Sequence, residues 1–232
     1  MKQEPLKIIS LHRQQIIIII LLLISGSLFY LLLVRLGFLA PIQEIPQILC
    51  LKNCQSEQNF HPNLPRNQLL NYDKSLEQLI NKNYNKNKIS ILIEKSQHRL
   101  TLYYDLKPVK SYPVVFGSNS VGDKYGEGDR RTPEGILKVR DLYPHPQWSK
   151  FIWLDYPNSQ SWRKHLQAKV DGKLAWYIPI GGQVGIHGVP VGTDKMIRDR
   201  YNWTLGCPSL KNQDVDELYQ WVEKGTVVEI LP

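Results

Sequence analysis

The sequence lacks a second long apolar run, an internal repeat and a clustered basic stripe, and these absences narrow the function. Because only one run is long enough to cross a bilayer, the chain is not a many-span membrane protein. Charged residues make up 22% and apolar residues 42% of the chain, which are the proportions of a globular protein and not of a disordered one. Lys and Arg are scattered without interleaved aromatics, so we predict no nucleic-acid partner.

The one apolar run extends from Ile16 to Val34 and would rise about 28 Å as a helix, close to the roughly 30 Å of a bilayer core. Three basic residues precede it against a single acid. By the positive-inside rule this leaves the N-terminus in the cytoplasm and exports the rest of the chain. A cleaved signal peptide has an apolar core of only about 7–15 residues, so we favour an uncleaved anchor over that alternative.

The chain is therefore expected to have four parts. Residues 1–15 form a cytoplasmic N-terminus, 16–34 a transmembrane anchor and 35–87 a juxtamembrane linker. The linker is rich in Pro, Asn and Gln, carries a short helix near Leu76, and is expected to lift the exported domain off the membrane. That single domain is predicted to occupy residues 88–232.

The net charge of +8 makes the exported part basic. A basic surface is drawn to anionic polymers or to lipid surfaces, although a solvated face without a ligand explains the charge equally well. Charge alone therefore leaves the partner open.

The residue pattern of the domain predicts a mainly β fold with a few helices. One helix is expected after residue 211, with Asn212 as its N-cap and Gly225 as its stop. A polar, glycine-rich loop covers residues 117–134. Strands are predicted over 89–94, 99–104, 109–116, 136–139, 152–154, 175–178, 184–187 and 226–231.

The three cysteines are an odd number, so pairing in an oxidising compartment leaves one thiol over. Cys50 and Cys54 are close enough in sequence for a local disulfide, whose formation depends on geometry. Together with His61 they also have a spacing that could begin a zinc site, but no fourth ligand is evident. We therefore predict no metal and no cofactor, and Cys207 as the free thiol.

Cys207 lies in a Gly-Cys turn that shortly precedes a helix, where terminal amides and an adjacent base can activate a thiol. The candidate base is His187, because an apolar strand ends there at Gly188, which lets another backbone approach closely. The separation of 20 residues (207 − 187) is ample for the chain to return beside the strand end. The alternative is a buried, inert cysteine. Three other histidines of the domain compete for the role of base: His98, His145 and His165.

Two motifs, Ile186-His187-Gly188 and Thr204-Leu205-Gly206-Cys207, resemble the signature of the L,D-transpeptidase (YkuD-type) domain. That signature is a His-Gly followed after an interval by Ser/Thr-x-Gly-Cys. The resemblance covers roughly residues 88–232 and implies an L,D-transpeptidase-like β-sandwich. The segments GDKYGEGDRRTPEG at 122–135 and NWTLGC at 202–207 are similar to the branch that includes murein transpeptidases and wall-lipoprotein amidases.

The resemblance implies a role for each residue of the two motifs. Cys207 would attack the substrate and His187 would take and return the proton. The Gly188 carbonyl would orient the imidazole, and the Gly206 and Cys207 amides would donate to the oxyanion. A preorganised pair of amide donors is commonly worth about 3 kcal/mol of barrier.

The sequence departs from the family pattern at two positions. Leu205 stands where many members have a second histidine, so His187 would be the sole imidazole near the Gly-Cys turn. Ser209 stands where many members have Arg, so a substrate carboxylate must be recognised elsewhere. The candidate substrate-binding residues are Arg130, Arg131, Arg198, Arg200, Trp203, Thr204 and Ser209.

The predicted function is that of a peptidoglycan L,D-transpeptidase, anchored by a single span in the bacterial inner membrane with its domain facing the periplasm or cell wall. It would form a thioester on a tetrapeptide stem and pass the acyl group to an amine. Alternatives are a carboxypeptidase, a cross-link or lipoprotein amidase, and a catalytically silent wall-binding module. The acids Glu127, Asp129 and Glu134 also allow a glycosidase, but acids interleaved with Arg in a loop are more often solvated or salt-bridged.

Overall fold

The computed structural model describes residues 4–50, 60–62, 65, 68–81 and 84–232. In these residues seven strands form one mixed sheet in the order β3-β2-β1-β7-β4-β5-β6. The strands are β1 (Ile89–Glu94), β2 (Arg99–Tyr104), β3 (Lys107–Pro113), β4 (Gly135–His145), β5 (Ser149–Leu154), β6 (Gly185–His187) and β7 (Val227–Leu231). The helices are α1 (Glu4–Arg35), α2 (Ile45–Ile48), α3 (Leu76–Leu79), α4 (Ser159–Val170), α5 (Lys195–Arg198) and α6 (Asn212–Trp221).

The centre of the sheet is built from both ends of the domain. Strand β7 pairs parallel with β1 and antiparallel with β4, and every other pairing of neighbouring strands is antiparallel. Strands β1 and β2 are almost wholly buried, as expected from their Ile and Leu content. Helix α6 packs on β5 and buries Val215, Leu218 and Trp221 along one face. The mainly β fold with a few helices is confirmed.

Helix α1 is longer than the predicted span. Its stretch from Arg13 to Arg35 has a mean hydropathy of 3.0 and is long and apolar enough to cross a membrane. No residue of that stretch is fully buried, although the Tyr30 side chain is half-buried. The same features suit either a membrane anchor or a signal sequence.

Helix α4 was not predicted. Its N-cap, Asn158, accepts a hydrogen bond from the Ser161 N–H at 3.0 Å. The buried face includes His165 and Lys169, and these polar side chains hide the apolar period of a helix.

The strand predicted over residues 175–178 is wrong. The segment is a turn closed by a hydrogen bond from the Ile178 N–H to the Ala175 carbonyl at 3.1 Å. Lys169 donates from Nζ to the Trp176 carbonyl at 3.0 Å, so a side chain and not a neighbouring strand satisfies this backbone. The predicted strand over 109–116 also ends early, since β3 stops at Pro113.

The described part of the predicted linker lies on the domain and does not lift it away. The Ile180 N–H donates to the Gly37 carbonyl at 2.9 Å, and Arg163 donates to the Gln47 carbonyl at 2.7 Å. Helix α2 packs on α4, and Ile48 joins the hydrophobic core with 8% of its surface exposed. Residues 36–50 are therefore part of the folded unit, because they bury apolar surface against it.

Candidate active site

His187 is the last residue of β6, where two segments of chain meet. Its partner across the antiparallel pair is Phe151 of β5. On its other side the His187 N–H donates to the Pro208 carbonyl at 3.2 Å, and the Leu210 N–H donates to the His187 carbonyl at 2.9 Å. The chain that follows Cys207 therefore runs beside β6.

The His187 imidazole is fixed in one tautomer. Its Nδ1 lies 2.6 Å from the Gly188 carbonyl oxygen, which can only accept, so Nδ1 carries the proton and Nε2 is left unprotonated. The ring stacks on Trp148 with centroids 4.4 Å apart and meets the edge of Trp203. Burial lowers the pKa of His187 to about 4, against the Gly188 hydrogen bond and with a smaller lowering by His145. The imidazole is neutral at pH 7.

The Cys207 thiol lies at the start of the same strand. Its Sγ accepts from the Gly185 N–H at 3.4 Å and donates to the Gln183 carbonyl at 3.7 Å. Gly185 and His187 are two residues apart in β6 and so lie on one face of the strand. Burial raises the pKa of Cys207 to about 11, although the Gly185 amide and the Lys124 charge oppose this. The resting thiol is therefore protonated.

Thr204 closes the turn that carries Cys207. Its Oγ1 donates to the Cys207 carbonyl at 2.7 Å and accepts from the Gly206 N–H at 3.2 Å. The Gly206 amide is thus already bonded, whereas the family resemblance implies that it donates to an oxyanion. Among the described residues the Cys207 N–H has no acceptor, which leaves it as the available donor.

Two glycines are required by close contacts. A Cβ at Gly188 would lie 2.1 Å from Asn212 Oδ1 and 2.6 Å from the Trp148 carbonyl. Gly206 has a φ of +144°, and a Cβ there would lie 2.7 Å from the Arg131 carbonyl. Larger residues would push apart the segments that position His187 and Cys207.

A model of the L,D-transpeptidase catalytic domain (YkuD) matches residues 88–230, which is more than half of the chain. The chain belongs to this family. The curated relative YafK of Escherichia coli (strain K12), provisionally described as an L,D-transpeptidase, is 28% identical over 145 residues. The alignment covers 60% of this chain and 49% of YafK, so the chain spans about half the length of the curated relatives it matches.

Solved structures similar to this L,D-transpeptidase family member include a cell-shape determining protein and another L,D-transpeptidase. The helical cell shape determining protein Pgp2 from Campylobacter jejuni is 26% identical with a TM-score of 0.45, over 61% of this chain and 46% of Pgp2. Bd1075 from Bdellovibrio bacteriovorus is 21% identical with a TM-score of 0.43, over 62% and 48%. An L,D-transpeptidase from Mycobacterium smegmatis is 14% identical with a TM-score of 0.41, over 62% and 59%.

The four arginines proposed for this family member to bind substrate fall into two groups. Arg198 and Arg200 are exposed and line a cavity beside His98, whose other lining residues do not include Cys207 or His187. Arg130 and Arg131 belong to the loop whose backbone touches Gly206. The Nε of Arg131 is buried and has no hydrogen-bond partner among the described residues.

The remaining proposed substrate contacts differ in access. Ser209 is completely buried and its hydroxyl donates to the Gly188 carbonyl at 3.1 Å, so it supports the histidine and does not face a substrate. Thr204 is buried and bonded within the turn. Trp203 is half-buried against His187, and its Nε1 has no partner among the described residues.

The expectation of a sole imidazole needs correction. His145 stacks on the same Trp148 ring that stacks on His187, with His145 and Trp148 centroids 4.3 Å apart, and its charge lowers the pKa of His187. His98 and His165 instead bond through Nδ1 to the carbonyls of Val114 and Tyr125. The structure thus brings one competing histidine to the site.

Side chains that a glycosidase site or a zinc site would use are hydrogen-bonded or ion-paired to other groups. Asp129 accepts from the backbone of its own loop and pairs with Lys124 at 2.7 Å, and Glu134 pairs with Lys95 at 2.6 Å. Both ring nitrogens of His61 are bonded at 2.8 Å, to Glu229 and Ser90. Cys50 is exposed, and Cys54 lies outside the described residues.

Sequence reasoning missed Trp148 and Lys124. Trp148 lies in the turn between β4 and β5, where no periodic pattern singles it out. Lys124 is buried, and its Nζ would lie 3.9 Å from a Cβ placed on Gly206. The only signal for Lys124 was its place in the segment shared with the family, between residues 122 and 135.

Proposed function

We propose that this chain is a membrane-anchored cysteine acyltransferase that acts on peptidoglycan stem peptides. The Cys207 thiol attacks the carbonyl of the amide after the third stem residue, and the C–N bond of the tetrahedral intermediate breaks to give a thioester and free D-alanine. An amine of a second stem then takes the acyl group and returns the thiol. The family membership supports the reaction class, and the substrate is part of the proposal.

The observation that carries the proposal is the held tautomer of His187. Because Nδ1 donates to the Gly188 carbonyl, Nε2 is free to take the thiol proton as sulfur attacks and to return it to the leaving nitrogen. Trp148, Trp203 and Phe151 surround the ring and fix its plane. The Cys207 N–H is the donor available to the developing oxyanion.

The two pKa values decide when the proton moves. Burial holds the pKa of the Cys207 thiol well above that of the His187 imidazole, which disfavours the separated thiolate and imidazolium. The resting pair is therefore neutral, and proton transfer accompanies attack on the substrate.

The anchor assignment rests on the junction between α1 and the domain. The Tyr30 hydroxyl donates to the Ala40 carbonyl at 3.0 Å, and Gly37 is bonded to Ile180. The end of the apolar helix is thus fastened to the folded unit, which supports an uncleaved anchor over a removed signal sequence. The basic residues before the apolar run that starts at Ile16 favour an external domain.

The test is product analysis of the full chain in membranes, incubated with purified tetrapeptide wall fragments. Cross-linked stem dimers indicate transpeptidation, whereas tripeptides alone indicate a carboxypeptidase, and cleavage of cross-links or of a stem-linked lipoprotein indicates an amidase. Cys207→Ala is expected to give no product, with a melting temperature close to native because the sulfur makes only two weak hydrogen bonds.

The matched control is a chain with Cys50→Ser and Cys54→Ser, which leaves Cys207 as the only thiol and should keep activity. Turnover in Cys207→Ala would show that the nucleophile is another group. A native chain that is folded but gives neither product nor a covalent carbapenem adduct would be a silent wall-binding module.

A further inference from the structure

The domain surface next to the anchor is fixed within two residues of the end of α1. Helix α1 ends at Arg35, and the Gly37 carbonyl already accepts from Ile180 at 2.9 Å. A Cβ on Gly37 would touch Pro179 and Ile180 at 3.5 Å, so the two segments are in contact. No free tether separates a membrane-spanning α1 from the domain.

Large apolar side chains are exposed on both sides of this contact. We call them the anchor patch: Leu36, Phe38, Leu39, Ile42, Trp176 and Tyr177. Trp176 and Tyr177 are 67% and 76% exposed, although they precede the buried Ile180 by only a few residues. Single exposed apolar residues are ordinary on a protein surface, but a patch of them marks an interaction site.

We propose that the anchor patch lies in the headgroup region of the membrane that α1 spans, so that the domain rests on the bilayer. This inference rests on the anchor assignment made above. At no more than about 3.6 Å per residue, Trp176 lies within about 15 Å of Ile180, which itself touches the chain as it leaves the helix. Trp and Tyr are the side chains that prefer the membrane–water interface, because an apolar ring and a polar group share one residue.

The loop that carries the two aromatics is held in shape before any lipid contact. Lys169 donates to the Trp176 carbonyl at 3.0 Å, and the Pro179 carbonyl accepts from the Glu127 N–H at 2.9 Å. The exposed Lys173 lies three residues before Trp176, and its Nζ pairs with Asp171 at 3.0 Å, which further orders the loop. A preordered loop loses little entropy when it enters the interface.

The experiment uses the full chain in phosphatidylcholine vesicles whose acyl chains are brominated near the carbonyl end. All six tryptophans lie between residues 148 and 221, outside α1, so quenching of tryptophan emission by bromine reports on the domain alone. We expect quenching in the native chain and its loss in Trp176→Phe. Trp153→Phe is the matched control, since Trp153 is half-buried under Arg140, and it should keep the native quenching.

Extraction with alkaline carbonate distinguishes failure of the proposed lipid contact from failure of the anchor assignment. If the chain stays in the vesicles and Trp176→Phe is quenched as strongly as the native chain, the anchor patch does not touch lipid. If carbonate releases the chain, α1 is not an anchor and the membrane contact falls with it. If Trp176 is not quenched and the chain is dimeric in detergent, the patch is a dimer interface and the proposal is overturned.

Discussion

The buried imidazole of His187 predicts an unusual pH dependence. Its pKa is lowered to about 4, so the neutral base persists down to that pH, and the acid limb of acylation should fall near pH 4 instead of near 6.5. His187→Ala should slow acylation by roughly 100- to 10,000-fold. Raising the pH should restore part of the rate only as it approaches the thiol pKa of about 11. The measurement is adduct formation by intact mass against pH.

His145→Gln is the control for this prediction. The His145 charge lowers the pKa of His187, so its removal should move the acid limb slightly upward while the neutral-pH rate is kept. A native limb near pH 6.5 would mean that the imidazole is solvated when it acts. If His187→Ala acylates at the native rate, His187 is not the base, and His145 becomes the candidate.

Single residues were predictable where they belong to a motif and not where long-range contacts place them. The interval between His187 and Cys207 was enough to expect the chain to return, and the segment after Cys207 does lie beside β6. Their catalytic roles stay predictions. The bonded state of the Gly206 amide and the stacking of Trp148 depend on side-chain contacts that have no local pattern.

Helix α6 holds the segment before the domain through one carboxylate. Glu217 accepts from the Leu76 N–H at 2.7 Å, from Lys110 Nζ at 2.7 Å and from the Tyr112 hydroxyl at 2.9 Å. Glu217→Ala leaves the buried Lys110 charge unpaired, so we expect a loss of about 3 kcal/mol in the free energy of unfolding. Urea denaturation of the full chain in detergent measures it.

Asp199→Ala is the matched control, because the Lys195–Asp199 pair is exposed and 3.9 Å long. Removing it should change the free energy of unfolding by less than about 0.5 kcal/mol. Equal losses in the two variants would show that Glu217 does not hold the Leu76 segment in place.

Strands were predicted well where apolar residues dominate the segment, and helices poorly where polar side chains are buried. The predicted bounds of β1 and β2 agree with the structure, because both segments are rich in apolar and aromatic residues and a short polar turn separates them. Helix α4, which was missed, and the segment 175–178, which was wrongly predicted as a strand, are joined by the hydrogen bond from Lys169 to the Trp176 carbonyl. No spacing of residues in the sequence indicates that a lysine on a helix will donate a hydrogen bond to the backbone of a loop.

Because residues 36–50 pack on the domain, truncating the buried Ile48 and the exposed Leu49 should have different effects on the free energy of unfolding of the whole molecule. Ile48 is 8% exposed and Leu49 is 61% exposed. Ile48→Ala should lower the free energy of unfolding by about 2–4 kcal/mol, as for other core truncations. Leu49→Ala, the control, should change it by less than about 0.5 kcal/mol. If both variants show similarly small effects in thermal melts, residues 36–50 form a free linker.

The order of strands in the sheet could not be predicted from the sequence, because the pairing of β1 with β7 joins segments at opposite ends of the domain. Each strand alone carried a signal, but local periodicity does not say which strands are neighbours. The parallel pairing also needs a long crossover, and most of the domain supplies it.

Strand β7 follows the other six strands along the chain, yet it lies at the centre of the sheet between β1 and β4. Until residues 227–231 arrive, β1 and β4 each present an open edge that can pair with another chain. The domain therefore cannot fold progressively from its N-terminus, and the nascent chain must be kept from aggregating until β7 has been synthesised. A stop codon anywhere before residue 227 would leave a half-sheet with unpaired edges instead of a shortened domain, and quality-control proteases remove such products.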